Sequence, residues 1–300
     1  METHTIPFRF KIVALILLII TGTLVASGII LLIAHFSGID ISSKADLFSV
    51  SEKPEYTGFV KFLVGFNHLI VFVLVPLVYL HVFYKGRIIS FLGIRKFNYG
   101  LLFWGVAMLY CAYPLMGYLA FLSEKVRWPQ WMTEMEKSSI DALSGLLLMN
   151  HPIDLMINIL IVAILPGIGE ELLFRGVLQN ETQKKLKSSF AAILMTAVLF
   201  SAFHFQVTGF LPKMLIGAIC GYIYYVSRDI RMPILLHFIN NGMATLALYL
   251  SGTDLTQGIP ESEREISLLT GLVSLTLSGM AGYYIFKTYN NLNHEQKQHT

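Results

Sequence analysis

Long apolar runs recur along the chain from near its beginning to near its end. A helix needs about 20 mostly apolar residues to cross a bilayer, and eight runs approach or reach that length. They cover residues 10–35, 60–84, 99–122, 153–174, 189–206, 212–227, 232–251 and 266–286. The fifth and sixth runs are short and close together. The pattern predicts an all-α fold, a polytopic transmembrane helix bundle with about eight spans.

The composition supports a chain whose solvent is lipid. Hydrophobic residues make up 55% of the chain and charged residues only 14%. Soluble domains contain about 45–50% apolar residues and about 25% charged residues. The net charge of +3 is too small to indicate nucleic acid as a partner, and no nucleic-acid motif is present. The chain is therefore predicted to contact membrane lipid, and no nucleic acid is expected as a partner.

The distribution of Lys and Arg predicts the orientation of the spans. Most of these residues fall in segments that are cytoplasmic if the N-terminus is inside, and cytoplasmic loops carry an excess of positive charge. Eight spans then place both termini in the cytoplasm. We expect an integral protein of the cell membrane with this orientation.

The fourth span carries two adjacent carboxylates after a long stretch without charge. Glu171 and Arg175 are four residues apart in a helix, so they face each other and can form an ion pair. Glu170 then has no local partner. An unpaired carboxylate that faces an apolar interior suits a general acid or base. The alternative is that both carboxylates simply end the helix at the inner interface.

Two later spans carry polar groups on one helix face. Phe200 and His204 are four apart in the fifth span, and His237 and Asn241 are four apart in the seventh, whereas Asn240 points elsewhere. A satisfied histidine of the bundle, and a polar pair that joins two helices, are the alternatives. His68 in the second span is interpreted in the same way, as a hydrogen-bonded histidine.

Polar groups on three nearby membrane helices predict a shared site, because each is costly to place in lipid. Glu170, His204 and His237 could activate water, either directly or through a zinc ion that they would hold. His237 and Asn241 could instead donate hydrogen bonds to an oxyanion. Spacing alone predicts an intramembrane polar site and favours a hydrolase over a transporter.

These three segments resemble the CPBP (CAAX protease and bacteriocin-processing, Abi) family of intramembrane endopeptidases, which includes type II CAAX prenyl endopeptidases. The family pattern is EExxxR, then FxxxH, then HxxxN or HxxxD. Glu170-Glu171 with Arg175, Phe200 with His204, and His237 with Asn241 match it in order, over about residues 150–250.

The resemblance implies a role for each matched residue. Glu170 would activate water, His204 would help to hold it, and His237 and Asn241 would stabilise the oxyanion. Supporting roles would fall to Glu171, Arg175 and Phe200. The family is usually named as metalloproteases, although a metal-free glutamate mechanism has also been argued, so a zinc ion and a metal-free site both stay open.

The resemblance also implies a division of the chain and a substrate class. Residues 1–130 would be accessory transmembrane helices, 131–255 the catalytic core, and 256–300 the last span with a polar cytoplasmic tail. The substrate would be a membrane-associated protein or peptide, with prenylated and CAAX-like substrates among those expected. A non-catalytic membrane immunity or scaffold protein and an ion or proton transporter are the alternatives. The sequence does not define the oligomeric state.

The predicted spans place the site residues at unequal depths. Glu170 lies near the inner end of the fourth span, whereas His204 lies ~22 Å along the fifth, at ~1.5 Å per residue. A tilted fourth helix, or a fifth helix that starts below the inner surface, would remove the conflict. The linker 182–188 would then lie at or beyond the inner interface.

Overall fold

A computed structural model describes residues 6–39, 56–94, 97–252 and 266–290. Within these ranges the chain is helical and contains no strand. The helices are α1 (Phe8–Phe36), α2 (Thr57–Phe83), α3 (Ile88–Leu92), α4 (Tyr99–Glu124), α5 (Gln130–Leu146), α6 (Pro152–Leu186), α7 (Ser189–Ala202), α8 (Phe210–Ser227), α9 (Arg231–Ser251) and α10 (Leu268–Tyr289).

Seven of these helices are long and apolar enough to cross a membrane. They are α1, α2, α4, α6, α8, α9 and α10, and α7 is a shorter apolar helix of 14 residues. The prediction of an all-α polytopic bundle with about eight spans is therefore confirmed. Two predicted boundaries were wrong: the fourth span continues to Leu186, and the fifth ends at Ala202, before His204.

Local sequence explains where several helices begin. The side chains of Asn98, Ser188 and Ser267 accept hydrogen bonds from backbone N–H groups in the first turns of α4, α7 and α10. Such caps satisfy N–H groups that have no partner within the helix. Ser188 is decisive for the site, because it starts α7 only two residues after α6 ends.

Helix α6 is the centre of the bundle and is not uniformly α-helical. Two π-helical segments interrupt it, Ile159–Ile164 and Leu172–Gln179, and α2 contains a third at Leu69–Leu74. A π-helical turn is locally wider and shifts the faces that follow it, and it is frequent at functional sites. The π-helical segment that starts at Leu172 begins directly after Glu171. The angular spacing of side chains around α6 therefore changes between Glu171 and Arg175.

Two buried apolar clusters hold the helices together. One joins α1, α2 and α6 to α7 and includes Tyr79, Leu173 and Phe200. The other joins α4, α8, α9 and α10 and includes Leu109 and Ile223. The outer faces of α1 and α10 are instead lined by exposed apolar side chains, as expected for surfaces that contact lipid.

Candidate active site

A buried ion pair on α6 connects three helices. The Arg175 guanidinium donates to Glu171 Oε1 at 2.8 Å and to the Gly217 carbonyl on α8 at 2.8 Å. Both charged side chains are almost completely buried. The guanidinium also lies over the Phe200 ring, 4.9 Å from its centroid. The predicted ion pair between Glu171 and Arg175 is present, and it links α6 to α7 and α8.

His237 on α9 is held by the same carboxylate. Its Nδ1 lies 2.8 Å from Glu171 Oε1, and its side chain is only 3% exposed. With Nδ1 fixed in this way, Nε2 faces Glu170 and lies 3.9 Å from Glu170 Oε2. One water molecule can bridge two polar atoms at such a separation.

Glu170 differs from its neighbour in its exposure and in its partners. Its side chain is 13% exposed, compared with 0% for Glu171. Among the described residues the Oε2 atoms of both carboxylates have no hydrogen-bond partner, but Oε1 of Glu171 binds Arg175 and His237. The two carboxylates therefore differ in their contacts: Glu171 binds Arg175 and His237, whereas Glu170 is available to bind a water molecule or a substrate.

His204 lies on the turn between α7 and α8. Its Nδ1 is 2.9 Å from the Phe200 carbonyl oxygen, and the two rings lie 5.0 Å apart between centroids. The Phe200 ring also contacts His237, at 5.7 Å. The next residue, Phe205, has a left-handed backbone with φ of 53°, which is uncommon for a bulky side chain. Phe200 thus brings His204 to the side of His237.

Helix α5 fixes the turn that carries His204. Ser139 donates to the His204 carbonyl at 3.4 Å, and the Glu136 carboxylate accepts hydrogen bonds from the backbone N–H and the hydroxyl of Thr208. Neither of these two α5 residues belongs to a motif. Their only sequence signal is polarity within a segment next to the core, which is too general to identify a contact.

Asn241 is oriented by a chain of hydrogen bonds. Its Nδ2 donates to the Val162 carbonyl at 2.9 Å, and its Oδ1 accepts from Asn240 at 2.9 Å. Tyr113 on α4 donates to Asn240 at 2.8 Å. Asn240 therefore orients Asn241, a link that its different helix face did not suggest. An amide nitrogen carries two N–H groups. The bond to Val162 uses one of the two N–H groups of Asn241, and the other is available.

The extra length of α6 removes the predicted conflict in depth. Glu170 lies about 24 Å before the end of α6 at Leu186, and His204 follows a helix about 21 Å long that starts at Ser189. The two helices run antiparallel, since Phe174 on α6 packs against Phe200 on α7 with 5.3 Å between ring centroids. Glu170 and His204 therefore lie at nearly the same distance from the turn.

The predicted zinc ligands do not form a coordination sphere in this arrangement. Within the described ranges, no group of three His, Cys, Asp or Glu side chains lies close enough together to hold a metal ion. His204 directs Nδ1 to the Phe200 carbonyl instead. Zinc coordination by Glu170, His204 and His237 stays a prediction.

One comparison with known protein families matches the segment that carries this site. The family model "Type II CAAX prenyl endopeptidase Rce1-like" matches residues 152–243, a segment that contains every residue of the predicted site from Glu170 to Asn241. No curated protein and no solved structure matched the chain significantly. The seven long apolar helices make the chain an integral membrane protein. The match of residues 152–243 to a CAAX-type endopeptidase family supports the predicted resemblance to the CPBP family.

Proposed function

We propose that this protein hydrolyses a peptide bond of a membrane-associated protein or peptide of the prenylated, CAAX-like class. The observation that carries the proposal is the unequal use of two adjacent carboxylates. Glu171 is bound to Arg175 and His237, whereas Glu170 presents a free oxygen 3.9 Å from His237 Nε2. A water molecule held between these two groups would be the nucleophile.

The charges of the cluster define its resting state in this proposal. The mechanism requires His237 to donate through both ring nitrogens, and the two carboxylates would then balance the charges of Arg175 and His237, since burying a neutral cluster costs less than burying a charged one. A doubly protonated imidazole has two donors. One N–H then donates to Glu171, and the other points toward Glu170 and the bound water.

The reaction follows from these positions. Glu170 takes a proton from water, and the oxygen attacks the carbonyl carbon of the scissile peptide. The His237 Nε2–H and the remaining N–H of Asn241 donate to the oxyanion, and His204 helps to hold the water. Glu170 then returns its proton to the leaving amine nitrogen, which breaks the C–N bond.

We also propose that the end of the bundle formed by the α6–α7 turn faces the cytoplasm. Lys11 and Lys184 both donate to the Tyr84 hydroxyl there, at 2.8 and 3.0 Å, and Tyr84 donates to Glu181. Burial, and then the bond to Glu181, raise the pKa of Tyr84 above its usual range, so the hydroxyl keeps its proton. Lysines at this end, beside the start of α1, fit the positive-inside rule.

Purified protein in proteoliposomes should cleave a fluorogenic peptide that carries a prenylated CAAX-type C-terminus. The same peptide without its lipid should be cleaved more slowly, because it does not partition into the bilayer. Appearance of a new C-terminus, identified by mass spectrometry, is the measurement. Potential-driven ion flux without any cleavage would contradict the proposal and support the transporter alternative.

Replacing Asn241 by alanine should lower kcat by about 10²–10³-fold, which is the usual cost of one oxyanion donor. KM should change little, because the lost bond forms mainly in the transition state. The measurement is a full kinetic curve on the lipidated peptide. Asn240→Ala is the matched control: it should have a smaller effect, since it removes only the group that orients Asn241. An unchanged kcat in Asn241→Ala would contradict the assignment.

A further inference from the structure

A third histidine lies beside the site, on helix α2. The His68 ring stacks on Phe72 with 4.5 Å between centroids. Its Nε2 is buried and has no hydrogen-bond partner among the described residues. Nε2 is therefore available to accept a hydrogen bond through its lone pair when the imidazole carries its proton on Nδ1.

Gly169 allows this histidine to approach the catalytic part of α6. A Cβ atom at Gly169 would lie 2.8 Å from Phe72 Cβ and 3.1 Å from His68 Nε2. No larger residue fits without displacing α2. The free nitrogen of His68 thus lies against the residue that directly precedes Glu170.

Helix geometry places Glu170 between α2 and α9. Successive residues are about 100° apart around a helix. Gly169 faces α2, and Glu171 binds His237 on α9, so Glu170 points into the gap between these two helices. His237 and His204 are also close enough to His68 for their charges to interact.

We propose that His68 is a positioning residue of the site, with Nε2 accepting a hydrogen bond from the water that Glu170 activates. The inference rests on the proposed function. A water has two hydrogens: one would go to Glu170, and the second to His68. When both hydrogens are held in this way, a lone pair of the water oxygen points toward the substrate carbonyl, which is the orientation that nucleophilic attack requires.

Two substitutions separate this role from a structural one. In His68→Gln the amide reaches the position of Nε2, and in His68→Asn it reaches only the position of Nδ1. A positioning role predicts that His68→Asn lowers kcat by about 10- to 100-fold with little change in KM, and that His68→Gln keeps most of the activity. The reverse order would show that only the contacts of Nδ1 matter, and would overturn the inference.

A second readout does not depend on activity. Nitrogen NMR of histidine-labelled protein in nanodiscs, assigned from the signal missing in His68→Gln, should show an unprotonated Nε2 at His68. That signal should shift in Glu170→Gln and stay in place in Glu134→Gln, an exposed control on α5. A protonated Nε2, or no response to Glu170→Gln, would overturn the inference. If these shifts appear in a chain that cleaves no peptide, the proposed function fails and the position of His68 stands.

Discussion

The Glu170→Gln variant is expected to insert and fold normally but to lose its peptidase activity. Glutamine keeps the shape of the side chain but cannot accept the proton of the attacking water. General acid–base catalysis contributes about 10²–10⁴-fold, so kcat on the lipidated peptide should fall by about this factor. Glu170→Ala should behave in the same way. The measurement is the initial rate per mole of protein that elutes as a single species.

The matched control for this prediction is Glu134→Gln, which makes the same chemical change on the exposed surface of α5. Its rate should equal that of the wild type. Substantial cleavage by purified Glu170→Gln would reject Glu170 as the general base. It would also remove the reason for distinguishing Glu170 from Glu171.

The Arg175→Met variant is expected to lose most of the stability of the bundle. Methionine has a similar length but leaves the buried Glu171 carboxylate without its cation and the Gly217 carbonyl without its donor. Removing one partner of a buried ion pair costs about 3–5 kcal/mol. Thermal unfolding in detergent, followed by tryptophan fluorescence, should therefore show a clearly lower Tm.

Two further variants test the reason for this loss. Combining Arg175→Met with Glu171→Gln should recover part of the Tm, because the buried charge is also removed. Lys184→Met is the control: Lys184 is half-exposed and 3.9 Å from Glu181, which keeps Lys11 and Tyr84 as partners, so the expected loss is about 1 kcal/mol or less. A Tm of Arg175→Met equal to that of Lys184→Met would contradict a structural role for the buried pair.

Much of the bundle could be predicted because span length and hydropathy are properties of local sequence. The i, i+4 spacing of Glu171 and Arg175 likewise indicated their pairing. The end of α6 was misplaced because Arg175 and the following polar residues resemble the edge of a membrane. Several of these polar groups instead have partners inside the bundle: Gln179, for example, donates to the Gly221 carbonyl on α8 at 2.9 Å. The end of α6 was predicted from composition, and composition does not show which polar groups have hydrogen-bond partners in the folded chain.

Other parts of the site depend on packing between distant segments. His68 is separated from the motifs by about a hundred residues, and its relevance follows only from the close approach of α2 at Gly169. The turn that carries His204 is fixed from α5, through Ser139 and Glu136. Neither contact has a sequence period or a motif, so only the three-dimensional arrangement reveals it.

The Glu171 carboxylate has a consequence for how the protein is made. It binds Arg175 four residues away, Arg175 reaches Gly217, and His237 is 66 residues further along the chain than Glu171. The proposed set of site groups is therefore incomplete until α9 has been inserted. Fragments that end before α9 would lack His237 and Asn241 and are expected to show no peptidase activity.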